Sequence, residues 1–343
     1  MMEKANGMIT NYQIANFGPI AGVDIKKTGC INLIIGKNGS GKTFLLKALY
    51  ATLKASEQYQ RGKETRNISE LLHDKLHWTF QAEKIGDLVR KGSNRLEVAV
   101  GVNQDEKLIY SFGSTTIKSI TSCENSIRPT PINSIFLPAK EILSIQSIIK
   151  ETRGDRFNYF GYDDTYLDLA NALTPSYKGR NYAFFSDARQ QLLSHIGGKI
   201  EYDPTLNDWV FKDSSKRVFS INVTAEGVKK LAILDALLGN HYLSKGSVIF
   251  IDEPEANLHP ELISKLMDII HLLSKNGLQF FISTHSYFVI KKLYILAHKY
   301  NQSIPVISLL GDDKYIESDL RREMPENPIV DESIRLYEEE IDL

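Results

Sequence analysis

At 343 residues, with 42% hydrophobic and 24% charged residues, the chain has the make-up of one large globular domain, or of one domain carrying a sizeable insertion. A formal net charge of −1 gives no global basic field of the kind that announces a nucleic-acid binder, and Cys30 and Cys123, without C-x-x-C spacing, point to neither a disulfide framework nor a zinc site. No apolar run approaches the ~18 residues of a membrane span, and the N-terminus lacks a signal-peptide core. A cytoplasmic protein with no membrane partner is therefore expected.

Residues 8–35 alternate apolar and polar positions around Asn16-Phe17-Gly18-Pro19, which reads as a hairpin or meander. Ile31-Asn32-Leu33-Ile34-Ile35 has the pattern of a buried strand, and Phe44 to Tyr50 opens a helix expected from Thr43 to about Ser56. Between them Gly36-Lys37-Asn38-Gly39-Ser40-Gly41-Lys42-Thr43 matches G-x-x-x-x-G-K-[ST] completely. The glycines let backbone N–H groups curl around a phosphate, Lys42 can reach the terminal phosphates, and the Thr43 hydroxyl is placed to ligate Mg²⁺. A strand before and a helix after is the context such a cradle requires. The expected ligand is a nucleoside triphosphate with Mg²⁺, held by Gly36, Asn38, Gly39, Ser40, Gly41, Lys42 and Thr43.

Residues 57–80 are polar with short helical stretches around Ile68 to Leu72, and strand patterns return at Leu96 to Val100, Lys107 to Tyr110 and Ile135 to Leu137. Residues 141–197 look mainly helical, with Leu167, Leu169, Ala170 and Leu173 as one apolar cluster, and 199–223 read as hairpin strands. The middle of the chain is thus expected to be an insertion between two halves of a nucleotide-binding domain. Thr224-Ala225-Glu226-Gly227 opens a helix through Leu231, Leu234 and Leu238; Thr224 is a candidate N-cap, and the start also suits an anion. Ser247 to Ile251 is an apolar strand ending in Asp252-Glu253-Pro254. Acids at such a strand end can meet a ligand at the open edge of a parallel sheet, with Asp252 holding Mg²⁺ and Glu253 polarising the attacking water. After an amphipathic helix through Leu262 to Leu273, a further buried strand, Gln279 to Thr284, ends at His285, placed to contact the γ-phosphate or the water. The tail from Asp331 is acidic and helical in pattern, with Ile334, Leu336 and Tyr337 as candidate anchors on an otherwise solvated helix.

The order of the phosphate loop, Thr224 to Lys230, Phe250 to Pro260 and Ser283 to Ser286 resembles the ABC-type ATPases, and within them the SMC/RecF/OLD branch of AAA-family ATP-binding proteins. Asn16 to Ile20 and Phe136 to Glu141 share that likeness. The resemblance is specific for residues 10–50 and 220–290. It implies an α/β head with a mixed or parallel central sheet, N-terminal antiparallel strands and a mainly helical middle insertion. The lobes would fall at 1–140, 141–215 and 216–310, with a tail at 311–343. In such ATPases two subunits sandwich two ATP molecules. Lys42, Glu253 and His285 would then be catalytic, Thr43 and Asp252 would hold the metal, and Thr224, Glu226 and Gly227 would complete the partner's site, with Asn257 and His259 at the seam. Two positions depart from the family pattern. Ala225 stands where a signature serine is usual, which implies slow hydrolysis or a hold-and-release switch. Ala139 stands where a coupling glutamine is usual, which weakens the likeness to transporter subunits.

OLD-like relatives carry a Toprim nuclease after the ATPase, whereas 286–343 is short for one, so any effector is expected on another polypeptide. Small ATPases of this look belong to bacterial anti-phage or toxin-like systems. The leading expectation is a homo-oligomeric ATPase that restrains or activates a nuclease or toxin partner. The alternatives are a RecF-like DNA clamp and, less favoured, a transporter nucleotide-binding subunit. For the clamp, Lys84, Arg90, Lys91 and Arg95, and separately Lys178 and Arg180, form either a DNA-facing patch or a solvated loop face.

Overall fold

A computed structural model describes residues 7–343 apart from 104, 154–159, 174–184, 204, 207 and 312–313; Lys178 and Arg180 lie outside the described residues. The chain opens with β1 (Ile9–Phe17), β2 (Ile20–Ile25), β3 (Ile31–Gly36), α1 (Lys42–Gln58) and α2 (Ile68–Phe80). Next come β4 (Arg95–Val102), β5 (Glu106–Gly113), β6 (Ser122–Asn125) and β7 (Ile135–Leu137). The middle holds α3 (Gln146–Arg153), α4 (Asp164–Ala172), α5 (Ser186–Ile196), β8 (Gly198–Asp203), β9 (Asp208–Asp213) and β10 (Val218–Ser220). The remainder runs α6 (Glu226–Gly239), β11 (Val248–Asp252), α7 (Pro260–Lys275), β12 (Gln279–Thr284), α8 (Tyr287–Lys299), β13 (Pro305–Gly311), β14 (Lys314–Asp319) and α9 (Pro328–Ile341).

These strands form three sheets. An antiparallel sheet has the order β2-β1-β4-β5-β6, and a small antiparallel one the order β10-β9-β8. The central sheet, β14-β13-β3-β12-β11-β7, is parallel except for β14 at its edge. The run Ile31 to Ile35 shows no polar alternation because both faces of this sheet are covered. Successive side chains leave a strand on opposite faces. Leu33, Ile35, Ile249, Ile251 and Ile282 accordingly pack among α6, α7 and α8, while Ile34, Phe250 and Phe281 pack with α1 and the antiparallel sheet.

Phe281 is fully buried, stacked 5.3 Å from Phe250 and 6.3 Å from the edge-on ring of Tyr12. Phe281→Ala should therefore lower stability by about 3–5 kcal/mol, the range for a large side chain deleted from a packed core. A lower urea midpoint at unchanged slope is the expected readout; an unshifted midpoint would contradict this packing.

Two segments differ from the sequence pattern. The polar stretch before residue 80 holds one unbroken helix of 13 residues, α2, rather than short helical stretches. Asn67 accepts from the Glu70 amide while the Glu70 carboxylate accepts from the Asn67 amide, closing a capping box, and Leu71, Leu72 and Leu76 bury against α1. In α9, Ile334, Leu336 and Tyr337 are each more than half exposed and only Val330 is buried, so the three are not anchors. Leu169, Ala170 and Leu173 do enter the core, with Leu167 half-buried against it. Among the described residues no helix is long and apolar enough to cross a membrane.

Candidate functional site

Residues far apart in sequence meet where β3, β12 and β11, neighbours in the sheet, end on the same side. Asp252 lies beside Ser283, and Thr284 beside Ile35. The loop leaving β3 is shaped by glycines: Gly39 and Gly41 have φ of 78° and 96°, backbone that L side chains rarely adopt. At Gly36 a Cβ would come within 2.4 Å of the Leu309 carbonyl oxygen, so the loop lies directly on β13. The Lys42 ammonium donates to the carbonyls of Gly36 (2.9 Å) and Lys37 (3.0 Å), folding over the loop it follows. Burial lowers its proton affinity, and Glu253, Asp252 and Glu255 oppose that effect.

The Thr43 hydroxyl lies 3.0 and 2.9 Å from the two oxygens of Asp252, and Ser283 donates to the same carboxylate. Burial pushes the Asp252 carboxyl above its ordinary range, against the hydroxyls of Ser283 and Thr43 and the charge of Lys47. A hydroxyl and a carboxylate, both hard oxygen donors at one point, are the ligand chemistry Mg²⁺ takes. The glycine cradle and the buried, unpartnered Ser40 hydroxyl fit a phosphate chain beside it.

Glu253 has φ of +49°, which turns the chain sharply at the strand end, and its amide donates to the Ser283 carbonyl (3.0 Å). Its carboxylate stands 3.2 Å from His285 Nδ1. Near the same ring nitrogen lies Glu255, whose Oε1 accepts from Thr284 Oγ1 (2.7 Å) and the His285 amide (3.0 Å). The Lys230 ammonium reaches the Glu253 carbonyl at 3.4 Å. Burial among apolar neighbours brings Lys230 down to about 8, despite the pull of Glu255, Glu253, Glu226 and Asp252.

Lys42, Thr43, Asp252, Glu253 and His285 are thus gathered in one place, as read from the sequence. Glu255, Lys230 and Lys47 were not singled out there. The D-E-P-E run carries a faint signal for Glu255. None exists for Lys230, whose contact is made between α6 and the turn after β11. Lys47 pairs with Asp163, the N-cap of α4, at 2.6 Å, tying the phosphate-loop helix to the middle of the chain.

The helix-start residues stand apart from this cluster. Thr224 is not the cap of α6; Ala225 occupies that position with no side-chain bond, and the Thr224 hydroxyl turns back to the Ser220 carbonyl at 3.3 Å. Extended backbone at Thr224 starts the helix one residue later than a threonine cap would. Glu226 pairs with Lys229 on its own helix (2.9 Å), and Lys229 also reaches Glu141 and Ser144. Gly227 is buried where a Cβ would meet Leu258 at 2.8 Å, so this glycine lets α6 pack on the turn that carries Asn257. Asn257 and His259 are exposed; His259 caps α7, accepting from the Glu261 amide at 3.3 Å.

The first glutamine after β7 is Gln146, and it is held inside the protein by the Trp209 indole N–H (2.7 Å) and the Ala170 carbonyl (2.6 Å). Of the candidate basic patch, Lys84, Lys91 and Arg95 are exposed, whereas Arg90 lines a cavity of about 360 Å³ beside Gly39 and Ser40. Ile20, Lys314 and Tyr315 also line it.

A parallel sheet with this loop and these acids at its strand ends, flanked by an antiparallel sheet, defines an ABC-type P-loop ATPase head. The chain belongs to the family described as "AAA domain, putative AbiEii toxin, Type IV TA system", whose model matches residues 31–291. Over 264 residues it is 24% identical to the Old nuclease of Escherichia phage P2, covering 68% of this chain and 40% of that protein. Over 115 residues it is 33% identical to the uncharacterized protein MJECL10 of Methanocaldococcus jannaschii, covering 33% of this chain and 47% of that one. The chain spans less than half the length of either relative. Two solved structures share the fold. An SMC head bound to the C-winged helix domain of ScpA superposes with a TM-score of 0.55 at 15% identity, covering 92% of this chain and 99% of that one. An SMC head domain with an extended coiled coil, bound to the C-terminal domain of ScpA derived from Pyrococcus furiosus, gives 0.53 at 16%, covering 96% and 99%. The chain thus carries this family's AAA domain in the fold of an SMC head.

Proposed function

We propose that the chain binds and hydrolyses MgATP between two copies of itself and, through that cycle, controls a separate effector protein. The observation that carries the reading is the meeting of Thr43, Asp252 and Ser283 beneath Lys42, with Glu253 and His285 at the mouth. In this reading Gly36, Asn38, Gly39, Ser40 and Gly41 offer main-chain N–H groups to the phosphates, and Lys42 leaves its two carbonyls for the terminal oxygens. Thr43 and Asp252 hold Mg²⁺, which when bound offsets charge on the phosphates. Glu253 accepts the proton of the attacking water, and His285 Nε2 faces the γ-phosphate while Nδ1 stays with the carboxylates. The cavity lined by Arg90 and Tyr315 takes the base and ribose.

In this reading a second copy covers the phosphates. The Thr224 and Glu226 side chains bond only within their own turn and helix, and Ala225 and Glu226 are exposed, which suits a role on the partner's nucleotide. Light scattering should then record a monomer-to-dimer shift on adding MgATP, alongside measurable phosphate release. Ala225→Ser supplies both a cap for α6, worth about 0.5–2 kcal/mol, and the missing hydroxyl, so it should raise both melting temperature and turnover. A higher melting temperature with unchanged turnover would remove Ala225 from the partner's site. The effector arm is tested with the product of the adjacent gene: its toxicity in cells should depend on Lys42. If instead DNA stimulates hydrolysis and its binding weakens steeply with salt, the clamp reading replaces the effector reading.

A further inference from the structure

We infer that Glu255 is the positioning residue of this site, holding His285 in the orientation that presents Nε2 to the ligand. The inference rests on the ATPase reading and adds to it a residue that touches neither nucleotide nor water. Glu253 turns back at φ +49°, and the chain then delivers the next acid beneath the exit of β12. There one oxygen of Glu255 collects Thr284 Oγ1–H at 2.7 Å and the His285 N–H at 3.0 Å. Thr284 Oγ1 in turn accepts from the Ser286 amide at 2.9 Å. The whole turn from β12 into α8 is therefore gathered on a single carboxylate oxygen.

Holding the His285 amide also sets where the imidazole lies. His285 Nδ1 lies 3.2 Å from Glu253 Oε1 and 3.6 Å from Glu255 Oε1, so with its backbone held by Glu255 that edge of the ring is turned toward the Glu253 carboxylate, an acceptor that favours a proton at Nδ1. Nε2 is left for the ligand. The two acids differ in a way that divides their work. The Glu253 side chain is 32% exposed and can meet water, whereas that of Glu255 is 9% exposed, with Oε2 buried and unpartnered. A buried carboxylate is costly unless it is compensated. Its retention beside an exposed catalytic pair fits an orienting role, as outer partners orient a histidine ligand.

The test compares Glu255→Gln and Glu255→Leu with the unaltered protein in steady-state hydrolysis, and reads the His285 ring directly by ¹⁵N NMR, assigned through His285→Asn. Glutamine keeps an acceptor at Oε1 and should retain turnover within about threefold. Leucine removes it and should lower kcat about 10- to 100-fold, with the KM for MgATP changed less than about threefold. In the unaltered protein the ring should be protonated at Nδ1 toward Glu253, and in Glu255→Leu, with the His285 amide released and the ring no longer held against Glu253, it should become a mixture of the Nδ1–H and Nε2–H forms. A ring already in the Nε2–H form in the unaltered protein, or one indifferent to leucine, overturns the inference. So does a Glu255→Leu variant with full kcat. If the unaltered protein does not hydrolyse ATP, the proposed function fails, but the NMR arm still decides on Glu255. If leucine prevents folding, the glutamine variant and the unaltered ring spectrum decide.

Discussion

Lys42→Ala should abolish nucleotide-dependent behaviour while leaving a folded protein. The ammonium is buried, bonds two carbonyls of the loop, and sits in the field of Asp252, Glu253 and Glu255. In the proposed site it is the cation that meets charge at the terminal phosphates, and removing one such preorganised donor typically lowers turnover about 10²- to 10³-fold. Stability should change less. Two loop carbonyls lose a charged donor, a cost of about 1–3 kcal/mol if they stay dry, and the loop lies at the surface where water can replace it. Thermal unfolding separates the two effects. MgATP at a hundred times its Kd should stabilise the unaltered protein by about 2.7 kcal/mol, and Lys42→Ala should show no such shift. Undiminished phosphate release from this variant would overturn the assignment of the loop.

Glu253→Gln should keep MgATP bound and hold the dimer closed. Glutamine has the same shape, so the strained turn at φ +49° and the amide bond to Ser283 survive, and Oε1 can still face His285. What is lost is the proton acceptor, and loss of a general base lowers turnover about 10²- to 10⁴-fold. Because hydrolysis is then the blocked step, the ATP-bound dimer should accumulate and persist through gel filtration, where the unaltered protein returns to monomer. A variant that binds MgATP and remains monomeric would speak against a shared site. One that hydrolyses at the normal rate would move the base to Glu255, the remaining acid beside His285.

These two expectations draw unequally on sequence and structure. The phosphate loop was legible because its chemistry is local: glycines that tolerate left-handed backbone, a lysine and a hydroxyl within eight residues, framed by a strand and a helix. Asp252, Glu253 and His285 were legible for a related reason, since apolar strand patterns ending abruptly in acids or histidine mark the open edge of a parallel sheet. The α/β class followed from the same patterns.

Tertiary structure decided the rest. No local pattern shows that β3, β12 and β11 are neighbours, yet that order alone brings Thr43 to Asp252 and Ser283 to the same carboxylate. The Glu255 contact needs the turn after β11 to pass beneath the end of β12, and Lys230 needs α6 to pack on that turn. The N-cap expected at Thr224 shifted to Ala225 because the preceding turn draws Thr224 to Ser220, a contact that propensity does not encode. Sequence by itself determined which residues have the chemistry a phosphate site uses, because that depends on side-chain type and short-range backbone freedom. Only the packed sheet decided which of them act together and which partner orients each, because those distances are set by burial of both sheet faces.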